Sequence, residues 1–267
     1  MKDRVAIVTA GADGIGRGIV EALAERGAIV ASLDLDQAAN EALCAEQAAL
    51  GHDVSALTCD VGELDDVVQA AQDVIEDIGR PTILVNNAGL WSDTSLTGGD
   101  VRAQVSAYRR SLDVNAVGAF AMTASVVEAM TQAGGGDVVN VITDHVHPAH
   151  RIAYPGATGY DGGKYALWRL TSSWPGELSE LGIRVNGLCF GATDTPMLRA
   201  VNPAMAEHGM RPADVARAVC NVIDQGPDGP TGKSYLFGLS RAPLEVSRAQ
   251  IEALAPGGDE SLHIVDW

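Results

Sequence analysis

The chain has 267 residues and a formal net charge of −17, and 46% of its residues are hydrophobic. This acidic balance argues against non-specific binding to nucleic acid or to an anionic membrane surface, and the hydrophobic content excludes a disordered chain. The four cysteines form no CxxC pair and show no metal-ligand spacing. We therefore expect reduced thiols, no bound metal and a cytoplasmic location.

Short β-branched segments alternate with longer Ala-rich segments along the chain. The predicted strands are Val5–Thr9, Ile29–Leu33, Val54–Thr58, Ile83–Val85, Val138–Ile142, Ile183–Leu188 and Ser234–Phe237. The predicted helices span residues 15–26, 37–50, 63–78, 100–132, 159–181 and 212–225. The sequence has no run of 18 apolar residues, so we expect no membrane span.

The strands are apolar throughout rather than alternating, which indicates a sheet covered on both faces. The repeated strand–helix order predicts an α/β fold with one doubly wound parallel sheet and helices on both faces. No linker or repeat divides the chain, so we expect one domain over residues 1–267. The least readable segments are 144–158 and 197–211, which we expect to border the substrate, and the tail 241–267.

The first strand leads into the glycine-rich sequence TAGADGIG at residues 9–16. Glycines at such a turn let backbone N–H groups approach a pyrophosphate, and the N-terminus of the next helix favours its negative charge. We expect cofactor contacts from Gly11, Asp13, Gly14, Ile15 and Gly16. An ordinary glycine-rich turn between strand and helix is the alternative.

Asp34 and Leu35 follow the second strand, where a carboxylate can accept hydrogen bonds from the adenosine ribose. A 2′-phosphate would meet like charge at Asp34 and also at Asp13. Arg17 is the only nearby cation, and it fits on the outer face of its helix. The sequence therefore predicts NAD rather than NADP.

Two further strand ends carry candidate cofactor contacts. Asp60 and Val61 follow the third strand, where the carboxylate either contacts adenine or caps the helix that begins near Glu63. The sequence NNAG at residues 86–89 follows the fourth strand. We expect Asn87, Ala88 and Gly89 to leave room for a cofactor while the asparagines brace neighbouring strands.

Together these segments resemble the short-chain dehydrogenase/reductase family. The resemblance rests on TAGADGIG at 9–16, Asp34, Asp60, NNAG at 86–89, DVNAVG at 113–118, VVNVIT at 138–143, YDGGK at 160–164, RVNG at 184–187 and GATDTPM at 191–197. It implies a Rossmann-type domain, a bound nicotinamide cofactor, a small-molecule substrate, and a homodimer or homotetramer. The helices at 100–132 and 159–181 commonly pack between subunits in that family, and Pro175 predicts a kink in the second.

The resemblance also implies roles for individual residues. Tyr160 is similar to the family's catalytic tyrosine, Lys164 to the lysine that holds the nicotinamide ribose, and Asn115 to the asparagine of the proton relay. The segment that includes Thr193 and Thr195 is similar to the one that contacts the carboxamide. This sequence departs from the family at Ala10, Thr143, Phe190 and residues 235–239, where the family has glycine, serine, proline and Asp-Gly-Gly.

The chemistry can also be argued from the side chains. A free tyrosine has a pKa of about 10, and a nearby ammonium favours the phenolate. Lys164 lies four residues after Tyr160, on the same helix face. Thr143 keeps the hydroxyl of a serine, so we expect it to orient the substrate oxygen, although its extra methyl restricts the side chain. A site without turnover is the alternative.

Three histidines, His145, His147 and His150, crowd the segment after Thr143. We interpret them as lining a substrate cleft with Trp91 and Tyr154 or facing solvent, rather than binding metal. The sequence predicts an NAD(H)-dependent oxidoreductase that acts on a secondary alcohol or ketone. An epimerase or dehydratase of the same fold, or a cofactor-binding regulator without turnover, are the alternatives.

Overall fold

The computed structural model describes residues 1–97, 99–148, 150, 154–237 and 244–259. In this part of the chain, seven strands form one sheet in the order β3-β2-β1-β4-β5-β6-β7, and every pairing is parallel. The strands are β1 (Val5–Thr9), β2 (Ile29–Asp34), β3 (Val54–Thr58), β4 (Pro81–Asn86), β5 (Gly136–Thr143), β6 (Ile183–Phe190) and β7 (Ser234–Phe237). The predicted doubly wound α/β fold is confirmed.

The helices cover both faces of this sheet. They are α1 (Gly14–Glu25), α2 (Gln37–Ala49), α3 (Leu64–Asp73), α4 (Val101–Leu112), α5 (Gly118–Gln132), α6 (Thr158–Ser173), α7 (Pro175–Leu178), α8 (Pro196–Val201), α9 (Pro203–Ala206), α10 (Pro212–Asp224) and α11 (Leu244–Ala253). Alternate residues of β1 enter different cores, because successive side chains of a strand point to opposite faces. Ala6 and Val8 pack in one core with α1 and α10, and Ile7 packs in the other with α3, α5 and α6. All four cysteines are free.

Three predicted helices are interrupted. The helix predicted at 63–78 ends in a π-helical turn at Val74–Ile78, and the one at 100–132 contains a π-helical turn at Asp113–Val117. The helix at 159–181 breaks at Pro175, which has no N–H to continue the hydrogen-bond ladder. Two of the segments that the sequence left least readable, 197–211 and 241–267, contain most of α8 and all of α9 and α11.

The segment Val101–Gln132 meets the length and composition criteria of a membrane-spanning helix, although it contains no run of 18 apolar residues. In the structure, 56% of its most apolar part is buried within the protein. It packs on β4 and β5 and against α3 and α6, as a core helix does.

The strand order reverses between β1 and β4, which places a crevice beyond the carboxyl ends of these two strands. Asp34, Asn86 and Thr143 end their strands at this same edge. The parallel topology therefore brings together side chains that lie more than 100 positions apart in the sequence, such as Asp34 and Thr143.

Candidate active site

A cleft of about 1250 Å³ opens at the carboxyl edge of the sheet. The predicted site residues that line it are Asp13, Gly14, Ile15, Asp34, Asn87, Gly89, Thr143, Tyr160, Lys164, Thr193 and Thr195. The other predicted site residues do not line the cleft; they are Gly11, Gly16, Leu35, Asp60, Val61, Ala88 and Asn115. Several residues of this second group hold the lining ones in place.

The glycine-rich loop between β1 and α1 is tightly packed. Ala10 has a φ of 52°, in the left-handed region, at the position where the resembled family has glycine. A Cβ on Gly11 would lie 2.2 Å from Ser32 Oγ, and one on Gly16 would lie 1.8 Å from the Ala10 carbonyl oxygen. Gly11 and Gly16 therefore permit close backbone packing, which leaves Gly14 and Ile15 at the cleft surface.

Asn87 braces this loop from β4. Its Nδ2 donates to the carbonyl oxygens of Thr9 and Ala10, both at 3.0 Å. The backbone N–H groups of Asn87 and Ala88 donate to Thr9 Oγ1 at 3.0 and 3.1 Å. The neighbouring Asn86 donates through Nδ2 to Asn140 Oδ1 of β5 at 2.9 Å, so both asparagines connect strands as expected.

Asp34 joins the end of β2 to the glycine-rich loop. Its carboxylate accepts hydrogen bonds from the N–H groups of Ala12 and Asp36, both at 2.9 Å. The side chain of Arg17 is bound by Glu21 and Glu46. Arg17 is thus held on the helix surface by two carboxylates, as the sequence indicated.

Asp60 is engaged within the protein. Both of its carboxylate oxygens accept from Arg110 of α4, at 2.7 and 2.5 Å, and one also accepts from Gly62 N–H at 2.9 Å. The alternative of a helix cap is wrong, because α3 begins after Glu63. The Val61 carbonyl lies against Gly118, where a Cβ would approach to 2.3 Å, and Leu35 is 66% exposed.

Tyr160 lies near the start of α6 and Thr143 at the end of β5. Burial, with the negative charges of Asp144 and Asp161, raises the pKa of Tyr160 above its ordinary value. The Thr143 side chain interacts with the phenol and partly offsets this rise in pKa. The tuning of this pKa by Lys164 stays a prediction.

Lys164 is 2% exposed. Its Nζ donates to the carbonyl oxygens of Val141 at 2.9 Å and of Ala88 at 3.2 Å. Burial lowers the pKa of Lys164 to about 8. Its amine is therefore fixed at the floor of the cleft beside Gly89, where a Cβ would lie 3.4 Å from Nζ.

Asn115 lies in the π-helical turn between α4 and α5. Its Nδ2 donates to the carbonyl oxygens of Leu90 and Ser111 at 2.9 and 2.8 Å, and its Oδ1 accepts from Leu90 N–H at 3.1 Å. Ser111, which sequence reasoning missed, also bonds the Leu90 carbonyl oxygen, at 3.2 Å. A π-helical turn has no side-chain signature comparable to a proline, although such turns are frequent at functional sites.

The segment after β6 closes the other wall of the cleft. The Thr195 hydroxyl caps α8 by accepting from Leu198 N–H at 3.2 Å, and Thr193 Oγ1 donates to the Gly191 carbonyl oxygen at 3.3 Å. Phe190 continues β6 and stacks on Phe237 of β7, with ring centroids 5.0 Å apart. This stacking accounts for an aromatic residue where the resembled family has proline.

Comparison with known proteins identifies this arrangement. The profile of the short chain dehydrogenase family matches residues 4–206. The chain belongs to the short-chain dehydrogenase/reductase family. Like that family it is an oxidoreductase, and its Rossmann fold implies nucleotide binding.

Individual relatives match most of this chain. A 3-oxoacyl-[acyl-carrier-protein] reductase of Thermotoga maritima is 30% identical over 74% of this chain and 77% of its own. A cyclohexanol dehydrogenase of an Acinetobacter species is 27% identical over 88% and 93%. The solved structure of a short-chain dehydrogenase/reductase from Serratia marcescens has a TM-score of 0.80 at 26% identity, covering 90% and 99%.

The cleft of this short-chain dehydrogenase fits a nicotinamide dinucleotide. The gap between Gly14 and Thr195 is narrow, since a Cβ on Gly14 would lie 3.2 Å from Thr195 Cγ2. Because glycine has no side chain, the gap stays open. We expect Gly14 and Ile15 to hold the pyrophosphate, Asp34 the adenosine ribose and Lys164 the nicotinamide ribose.

An aromatic cluster lies on the opposite side of the cleft. Trp91 lies with its ring centroid 5.2 Å from that of Tyr160, and His145 stacks on Tyr154 at 4.9 Å. Met197 also lines the cleft. Two arginines in the segment after β6 are bound by carboxylates, Arg199 by Asp194 and Arg211 by Asp214. Within the described ranges, no three metal-ligating side chains converge.

Proposed function

We propose that this chain is an NAD(H)-dependent alcohol dehydrogenase or ketone reductase, which transfers a hydride between nicotinamide and a secondary alcohol or ketone. The proximity of Tyr160 and Thr143 in the cleft carries the proposal, because an acid/base group and an orienting hydroxyl have to act on the same substrate oxygen. Lys164 lies one helical turn further along the same helix.

A bound nicotinamide cofactor supplies the hydride acceptor in oxidation and the hydride donor in reduction. During oxidation, the Tyr160 phenolate takes the hydroxyl proton of the substrate, and Thr143 Oγ1 donates a hydrogen bond to the same oxygen. Lys164, fixed by Ala88 and Val141, adds a positive charge that favours the phenolate. Asn115 holds the segment around Leu90 and, as the family resemblance implies, the water of the proton relay.

The preference for NAD rests on charge. Asp34 and Asp13 both line the cleft, whereas Arg17 is paired with Glu21 and Glu46. A carboxylate at Asp34 accepts hydrogen bonds from ribose hydroxyls but repels a 2′-phosphate. These observations support NAD. Because one relative is a 3-oxoacyl-[acyl-carrier-protein] reductase, 3-oxoacyl thioesters are tested as substrates beside alcohols and ketones.

The experiment is a screen for NAD reduction with secondary alcohols, and for NADH oxidation with the matching ketones. We expect turnover with neutral secondary alcohols, in line with the cyclohexanol dehydrogenase among the relatives. Binding of NADH without turnover on any alcohol, ketone or 3-oxoacyl thioester would contradict the proposal and favour a regulator. Conversion of substrate without net change of NAD would instead favour an epimerase or dehydratase.

We further propose that the protein is a cytoplasmic homo-oligomer built from one domain. The exposed apolar side chains of α4, the turn after it, α5 and α6 support an interface there, since such patches mark contact surfaces. They are Val101, Val105, Tyr108, Val117, Phe120 and Tyr165. Light scattering after size-exclusion chromatography tests this: the native chain is expected as a dimer or tetramer, and Phe120→Glu as a smaller species.

A further inference from the structure

A buried histidine–carboxylate pair lies in the substrate side of the cleft. His150 Nδ1 is 3.2 Å from Asp144 Oδ2, and the side chains are only 5% and 7% exposed. Asp144 immediately follows Thr143, whose Oγ1 lies 3.5 Å from Asp144 Oδ1. The pair therefore adjoins the hydroxyl that orients the reacting oxygen, and both of its members line the cleft.

The second ring nitrogen of His150 is without a partner. Among the described residues, His150 Nε2 is one of three buried side-chain polar atoms that have no hydrogen-bond partner. Burial of a polar atom without a hydrogen bond costs about 1–3 kcal/mol, so such atoms call for a functional explanation. Because Nδ1 faces Asp144, Nε2 points away from this carboxylate.

The Asp144 carboxylate determines what this nitrogen can bind. A carboxylate accepts, so the neutral imidazole carries its proton on Nδ1 and presents a lone pair at Nε2. His145 stacks near His150, with centroids 4.6 Å apart, and its own Nδ1 is 2.7 Å from Asp161 Oδ1. The neutral form of His150 thus presents a hydrogen-bond acceptor whose position is fixed by Asp144.

We infer that His150, oriented by Asp144, accepts a hydrogen bond from a second hydroxyl of the substrate, so that the enzyme selects vicinal diols and the corresponding hydroxyketones. This inference rests on the proposed alcohol dehydrogenase activity. A neutral diol suits the cleft, whose lining includes the carboxylates of Asp144, Glu207 and Glu245. A substrate without the second hydroxyl leaves Nε2 unpaired, and sites of this kind discriminate strongly against such analogues.

The test compares matched pairs of substrates, 2,3-butanediol with 2-butanol and trans-1,2-cyclohexanediol with cyclohexanol. For the native enzyme, we expect kcat/KM for the diol to exceed that for the mono-alcohol about tenfold or more. His150→Leu removes the acceptor and is expected to bring this ratio close to one. Asp144→Asn, which no longer fixes the Nδ1–H form, is expected to lower the ratio as well. His52→Leu, which changes a histidine that does not line the cleft, serves as the control and is expected to leave it unchanged.

A second readout does not depend on turnover. The dissociation constant of each diol and mono-alcohol is measured in the complex with NADH by cofactor fluorescence, which also shows that each variant is folded. Tighter binding of diols that is lost in His150→Leu supports the inference even if no substrate is turned over, in which case only the proposed activity fails. Equal kcat/KM for both members of a pair, or a preference that His150→Leu leaves intact, overturns the inference while the activity stands. Absence of both turnover and selective binding overturns both.

Discussion

The Thr143 side chain at the end of β5 interacts with the phenol of Tyr160 near the start of α6 and counteracts the rise of its pKa. Thr143 is 4% exposed, and its Oγ1 also accepts from His145 N–H at 3.4 Å. The threonine methyl therefore does not prevent the contact expected of a serine. Since the two residues come from different elements, their relative position depends on how α6 packs on β5.

Loss of the Thr143 hydroxyl should impair turnover. Thr143→Val keeps the shape of the side chain but cannot donate to the substrate oxygen, and we expect kcat to fall about 10²–10³-fold, as when an oxyanion donor is removed. Thr143→Ser retains the hydroxyl and is expected to stay within several-fold of the native enzyme. Steady-state kinetics and NADH titration check this, and full turnover by Thr143→Val would show that the hydroxyl is dispensable.

The pH dependence of oxidation should respond to Asp161. Its negative charge helps to raise the pKa of Tyr160, so Asp161→Asn favours the phenolate. We expect the rising limb of kcat/KM against pH to move to lower pH, with a severalfold gain near neutrality. Asp65→Asn, at an exposed position of α3, is the matched control. A limb that stays in place, or moves to higher pH, contradicts the assignment of this limb to Tyr160.

Ala10→Gly should stabilise the fold. An L-residue in the left-handed region costs about 1–2 kcal/mol, while glycine loses about 0.4–1 kcal/mol more backbone entropy on folding. We therefore expect the free energy of unfolding to rise by roughly 0.5–1 kcal/mol, since Ala10 has a φ of 52°. Urea unfolding measures the change, and Ala12→Gly, in the same loop without a positive φ, should be destabilising. Destabilisation by both variants would refute the strain at Ala10.

Cofactor choice should depend on the charge of Asp34. Asp34→Asn removes the charge at similar size, and we expect the ratio of kcat/KM for NAD to that for NADP to fall about 10–100-fold, which corresponds to loss of a charged hydrogen bond. Glu25→Gln, at the far end of α1, removes one charge outside the cleft and should leave the ratio unchanged. A native enzyme that uses NADP as well as NAD would refute the predicted preference.

Stability should depend on pH through Lys164. Burial lowers its pKa from 10.5 to about 8 in the folded state, so the unfolded chain binds more protons between these values and stability rises with pH there. Below pH 8, the buried charge of Lys164 lowers the free energy of unfolding by about 3 kcal/mol. Lys164→Met has no such charge and does not lose this free energy. The difference in unfolding free energy between this variant and the native chain should therefore shrink by roughly 1 kcal/mol per pH unit from pH 8 to 10. Urea unfolding at several pH values measures it, with exposed Lys2→Met as control, and a difference independent of pH would contradict the burial of a charged amine.

The sequence by itself determined the sheet and the location of the site. Uninterrupted β-branched segments such as Val5–Thr9 form buried strands wherever helices cover both faces, and their order fixed a parallel sheet. Because the carboxyl ends of parallel strands share one edge, Asp34 and Thr143 were predictable as residues of the same cleft. These features depend on local periodicity and chain order, which are written in the sequence.

Only the tertiary structure decided how the side chains are paired. Asp60 binds Arg110, 50 residues away, and Lys164 binds the backbone of Val141, so neither partner follows from spacing. Ala10 has a left-handed backbone, and its carbonyl oxygen accepts from Asn87, 77 positions away in the sequence. His150 likewise turns Nδ1 toward Asp144 and leaves Nε2 unpaired. Burial and tertiary contacts create this arrangement, and local propensity does not encode it.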